Sequence, residues 1–89
     1  MPNFLMYSIQ VCGRTVKFEG AWDLSVQRYV IRPPDDSGVA RRIKEVLVGK
    51  KAQEAGVSYV DKNDIYLNRR KGETLHSACQ RVLALISDD

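Results

Sequence analysis

His76 and Cys79 stand three residues apart in LHSACQRVLALI, one helical turn from each other if that segment is a helix. Such a pair could give two ligands to zinc, or a base and a thiolate nucleophile. A structural zinc site takes four protein ligands and a catalytic one usually three. The second cysteine, Cys12, is far away in the sequence, and no Cys-x-x-Cys occurs. Cys79 also falls within an apolar stripe, where a free cysteine behaves as a small hydrophobe, whereas a nucleophile needs an exposed, activated thiolate. The expectation is that Cys79 belongs to the core, that His76 is half-exposed at the stripe's edge, and that neither holds a metal. The acidic pairs Asp35-Asp36 and Asp61/Asp64 lie where turns and caps favour aspartate. GRTVKFEG and VGKKAQEAG match no phosphate-loop or dinucleotide pattern. These residues point to a protein that is not an enzyme and uses no cofactor.

The basic residues offer other chemistry. Arg69, Arg70 and Lys71 precede Gly72 and the final amphipathic segment, at the positive end of that helix's dipole. An anion there would gain free backbone N–H groups, the dipole and guanidinium forks together. The competing reading is a solvated loop. A second cluster, Arg41, Arg42 and Lys44, with Lys50 and Lys51 beyond Gly49, lies along an earlier helical pattern. Should both clusters share one surface, they would track a phosphate backbone, with Tyr59 and Tyr66 as stacking partners. No RRM, KH or zinc-finger signature accompanies them.

Two functions follow as expectations. The first is a non-enzymatic module engaging nucleic acid or a nucleoprotein through Arg41, Arg42, Lys44, Arg69, Arg70 and Lys71. The second is a small protein-binding adaptor or stoichiometric inhibitor, of the size and type carried by phages and other mobile elements against host nucleic-acid-targeting complexes. Such a protein could add a strand at an open hairpin edge, and the same edge allows a homodimer.

The elements that must position these groups are legible from periodicity. In FLMYSIQVCGRTVKFEG apolar residues alternate on both sides of Gly13-Arg14, predicting a β-hairpin over residues 4–19. With Gly13-Arg14 at the tip, Val11 faces Val16 and Ile9 faces Phe18. Val26 to Arg32 is predicted as a third strand ended by Pro33-Pro34, with a short helix as its alternative. Asp36 or Ser37 caps a helix over about 37–48, with Gly49 as its break and a further helical turn before Gly56. VSYV and IYLN read as strands around DKND that bring Tyr59 beside Tyr66. A helix over about 73–87 has the clearest period, Leu75, Ala78, Cys79, Val82, Leu83 and Ile86. The order β-β-β-α-β-β-α predicts a single α+β domain over residues 1–89: a mostly antiparallel sheet with two helices on one face.

Composition sets the bounds. With 89 residues there is room for one core. At 44% hydrophobic and 28% charged, the chain has the make-up of a globular protein and not of a disordered one. Two cysteines do not make a disulfide framework, so a reducing, cytoplasmic setting is expected. No signal-peptide pattern is read at the N-terminus, and no apolar run approaches the roughly 20 residues of a membrane span. A net charge of +3 is mild, so the placement of charge matters more than its total.

Overall fold

A computed structural model describes residues 4–68 and 70–88. The chain is an α+β domain. Strands β1 (Phe4–Val11), β2 (Arg14–Asp23) and β3 (Arg28–Arg32) form a meander, followed by helices α1 (Ser37–Val46) and α2 (Gly49–Glu54). The hairpin β4 (Val57–Asp61) and β5 (Asp64–Leu67) then leads to helix α3 (Leu75–Ile86). All pairings are antiparallel, and the sheet order is β1-β2-β3-β5-β4, with β5 inserted beside β3. The third strand is therefore a strand and not the alternative helix. No helix among the described residues is long and apolar enough to cross a membrane.

The first hairpin forms where expected but in a different register. Ile9 faces Val16 and Tyr7 faces Phe18, with Val11 opposite Arg14. The tip is thus Cys12-Gly13 and not Gly13-Arg14. A slip of two residues keeps every side chain on its face, so the apolar pattern cannot tell the two registers apart. The turn decides. Cys12 and Gly13 both have positive φ, 53° and 77°, as a type I′ turn requires. Their amides donate to the carboxylate of Asp88 at 2.9 and 2.8 Å, and the Asp88 amide donates to Gln10 O at 2.8 Å. The tail after α3 therefore caps the hairpin.

One face of the sheet carries the core. Val11, Val16, Phe18, Ile31, Ile65 and Leu67 pack against Val39 and Ile43 of α1 and the apolar stripe of α3. Asp36 begins α1 by accepting the Val39 amide at 3.1 Å, and its carboxylate also pairs with Arg14 at 2.8 Å. Gly49, with φ of 58°, opens α2 after the break at Leu47, so a third short helix joins the two expected. Helix α3 packs closely on the sheet at Gly20, where an added Cβ would lie 2.6 Å from Cys79 Sγ. Only glycine lets the helix sit at that depth.

The opposite face is covered by no helix or strand among the described residues. Phe4, Ala21, Val30, Tyr66 and Tyr59 are successive cross-strand neighbours, a single row across all five strands on the side away from the core. A bulge between Val57 and Tyr59 makes the row complete. Val57 stays opposite Leu67 over the core, and the extra residue turns Tyr59 to the other face beside Tyr66.

Candidate functional site: two faces of the sheet

The basic residues lie on the helical side of the molecule. Arg41 and Lys44 are exposed on α1. Arg42 instead turns inward, donating from Nε to Ile86 O at 3.1 Å and from Nη2 to Ser87 O at 3.4 Å, which caps the C-terminal end of α3. Arg70 and Lys71 precede the other end of that helix, whose N-cap is Thr74. Twelve residues of α3, about 18 Å of helix, separate the carbonyls that Arg42 binds from that turn. Arg70 donates to Glu54 O at 3.4 Å, at the end of α2. Arg69 lies outside the described residues.

The N-terminal end of α3 has its own partners. Thr74 accepts the Ser77 amide at 3.1 Å. Glu73, its side chain only 9% exposed, receives two hydrogen bonds from Arg81, which also donates to Ala55 O at 2.8 Å. The bonds from Arg81 hold the Glu73 carboxyl below its ordinary range. A carboxylate thus already sits where a bound anion would neutralise the dipole. Arg81 reaches Glu73 from two turns further along the chain.

His76 and Cys79 meet around a residue that the sequence did not single out, Tyr7. The Tyr7 hydroxyl is hydrogen bonded to His76 Nδ1 at 3.0 Å, and the two rings stack. His76 is exposed at the edge of the helix. Cys79 has no exposed surface, and burial pushes its thiol up to about 11, with the hydrogen bond to Tyr7 opposing. At neutral pH it is a protonated thiol without access to solvent, which makes it a poor nucleophile. Among the described residues no three His, Cys, Asp or Glu side chains cluster as metal ligands would.

Tyr59 and Tyr66 are adjacent, as their spacing suggests, with ring centroids 4.6 Å apart and planes at 14°. They lie on the uncovered face, across the sheet from α1 and α3. The tyrosines and the cations therefore occupy opposite sides of the molecule.

The surroundings of the rings are acidic. The row next to theirs runs Met6, Glu19, Arg32 and Asp64, with Asp61 opposite Asp64. Arg32 leans back across Ala21 and Val30 toward Asp23, 3.7 Å away, which closes the middle of the apolar row beneath an ion pair. Burial raises the carboxyl of Asp64, Arg32 opposes this, and the nearby Asp61, Asp23 and Glu19 raise it further. In total this face carries Lys17, Arg28 and Arg32 against Glu19, Asp23, Asp61 and Asp64. The helical side is the reverse: α1, α2, α3 and the turn at 70–73 hold eight Lys or Arg against three Glu.

No protein-family description matches the chain, and no significant match is found among curated proteins or solved structures.

Proposed function

We propose that the protein is a non-enzymatic binding module whose partner is another protein, engaged by the uncovered face of the sheet. The observation that carries this reading is the row from Phe4 to Tyr59, exposed and aromatic at its two ends, with Ala21 and Val30 buried at its middle, and acidic along one flank. Tyr59 is 41% exposed and Phe4 45%, so each end of the row presents a large ring to solvent. Tyrosine and phenylalanine on a rigid strand supply contact area at low entropic cost, as at protein interfaces generally. The matching surface is an apolar patch with a basic rim, which would complement Glu19, Asp61 and Asp64. The same carboxylates speak against nucleic acid here, because a strand stacking on the tyrosines would bring its phosphates beside Asp61 and Asp64.

The test is recovery of the partner from the native extract after nuclease treatment, with three forms of the chain. The reading requires a protein retained by the wild type and by Arg41→Glu/Lys44→Glu, and lost from Tyr59→Glu. Replacing an aromatic anchor in this way is expected to weaken binding by at least about 30-fold, the scale of an interface hot spot. Retention on RNA or DNA that falls steeply with salt and disappears in Arg41→Glu/Lys44→Glu would instead select the helical side and nucleic acid.

A further inference from the structure

The two edges of the sheet are protected to different degrees. β4 is five residues long, bulged and ended by Asp61, devices that discourage pairing with another chain. β1 has none of these. Its eight residues, FLMYSIQV, contain no charge, no proline and no bulge. Phe4, Leu5 and Met6 are 45, 40 and 55% exposed, a concentration of large apolar side chains on an open edge.

The free backbone groups on that edge can be placed. In an antiparallel strand alternate residues direct their N–H and C=O to opposite neighbours. Val11 pairs with Arg14 across a two-residue turn and is the hydrogen-bonded position, so Gln10 faces outward, and its carbonyl accepts the Asp88 amide. By alternation Phe4, Met6 and Ser8 face outward as well. The tail at Asp88 closes the edge at Gln10, which leaves three outward residues evenly spaced about Met6.

Helix α3 extends the same surface. His76 touches Tyr7 at one end of the helix and Asp88 touches Gln10 at the other, so the flank running through Gln80 and Ala84 looks toward the β1 side. The exposed residues of α3 are His76, Ser77, Gln80 and Ala84, and none is a Lys, Arg, Asp or Glu. Its cation, Arg81, points to the other flank, onto Ala55 and Glu73. In a chain that is 28% charged, a charge-free edge strand beside a charge-free helix flank is the depletion that marks the centre of an interface.

We infer that this surface binds a second copy of the chain. β1 pairs antiparallel with its symmetry mate about a two-fold axis at Met6. Met6 lies opposite the mate's Met6, and Phe4 lies opposite the mate's Ser8. The outward donors and acceptors of all three residues are satisfied, and the two sheets become one of ten strands, with the α3 helices side by side on it. A two-fold needs a surface complementary to itself, and an uncharged strand with its free groups centred on one residue meets that condition. Tyr59 and Tyr66 stay free in this dimer, far from the β1 seam, while Phe4 and Met6 at the β1 end are shared with the proposed partner's face, so Tyr59→Glu separates the two readings.

Sedimentation and a cross-link test it. The wild type is expected to be a dimer at micromolar concentration. Met6→Lys places two ammonium groups against each other on the axis, and is expected to raise the dimer dissociation constant at least about 100-fold. A hydrogen-bonded antiparallel pair has its Cα atoms about 5.5 Å apart, within the span of a disulfide. In a Cys12→Ser background, Met6→Cys is therefore expected to oxidise to a covalent dimer. Ser8→Cys is expected to do so only when mixed with Phe4→Cys. A wild-type chain that stays monomeric to about 1 mM, at the weakest end of measurable affinities, overturns the inference. So does a dimer that survives Met6→Lys but is broken by Tyr59→Glu, which would make the sheet face the self-association surface.

Discussion

Gly20 and Cys79 set the depth at which α3 lies on the sheet, and each explains the other. A methyl group at Gly20 would meet Cys79 Sγ at 2.6 Å and Tyr7 at 3.3 Å, so Gly20→Ala must push the helix or the thiol aside. Overpacking of this kind costs about 1–3 kcal/mol. Cys79→Ala leaves a cavity the size of a thiol and costs about 1–2 kcal/mol by itself. Together the two changes exchange one small group for another. Gly20→Ala/Cys79→Ala is therefore expected to be more stable than the sum of the single variants by about 1 kcal/mol or more, as read from urea denaturation. An additive result would mean that α3 shifts freely. The sequence already placed Cys79 in the core stripe, because helical period alone fixes that. It carried no sign of the partnership with Gly20 or Tyr7, which depends on where the helix crosses the sheet.

Elements are tied together here by carboxylates that act on backbone groups. The amide of Val39, more than the guanidinium of Arg14, holds the carboxyl of Asp36 below its ordinary value, and the amides of Gly13 and Cys12 do the same for Asp88. A carboxyl with a lowered native pKa stabilises the fold above its ordinary value near 3.8, and that contribution disappears as pH falls through the lower native value. Asp64 has the opposite sign. Burial raises its native value, so its charged form weakens the native state as pH rises through that value. Asp64→Asn is expected to raise the denaturation midpoint at pH 7, by less than about 1 kcal/mol for a partly exposed group, and to change nothing at pH 3. Asp88→Asn is expected to lower stability at pH 7 and to lose that effect as pH falls through the lowered native value of the wild-type carboxyl. The register of the first hairpin was not legible for the same reason that Asp88 matters. Two registers satisfy the apolar alternation equally, and the carboxylate that chooses between them lies 75 residues beyond Gly13. The β4–β5 pairing was legible because the contact between Tyr59 and Tyr66 is local. Which face the rings take was not, since the bulge at the start of β4 decides it.

As a whole the molecule is two-sided, with cations on its helical layer and aromatic rings among carboxylates on its sheet. A charge count over the chain averages these sides to +3 and hides the division. That is why the basic clusters could be read from the sequence while their separation from the tyrosines could not. Retention on a cation exchanger at pH 7 should depend on the helical layer. Arg41→Glu/Lys44→Glu is expected to elute at clearly lower salt with stability within about 0.5 kcal/mol of wild type, because both side chains are exposed. An unchanged elution position would mean that the charge asymmetry is not expressed in solution.

The cap that Asp88 places on the first hairpin also has a consequence in time. β1 and β2 leave the ribosome well before the carboxylate that receives their turn amides, which is translated 75 residues after Gly13. A nascent chain therefore carries an unfinished hairpin until Asp88 has been added. Messages cut short between this hairpin and Asp88 would release proteins whose turn amides have lost their acceptor.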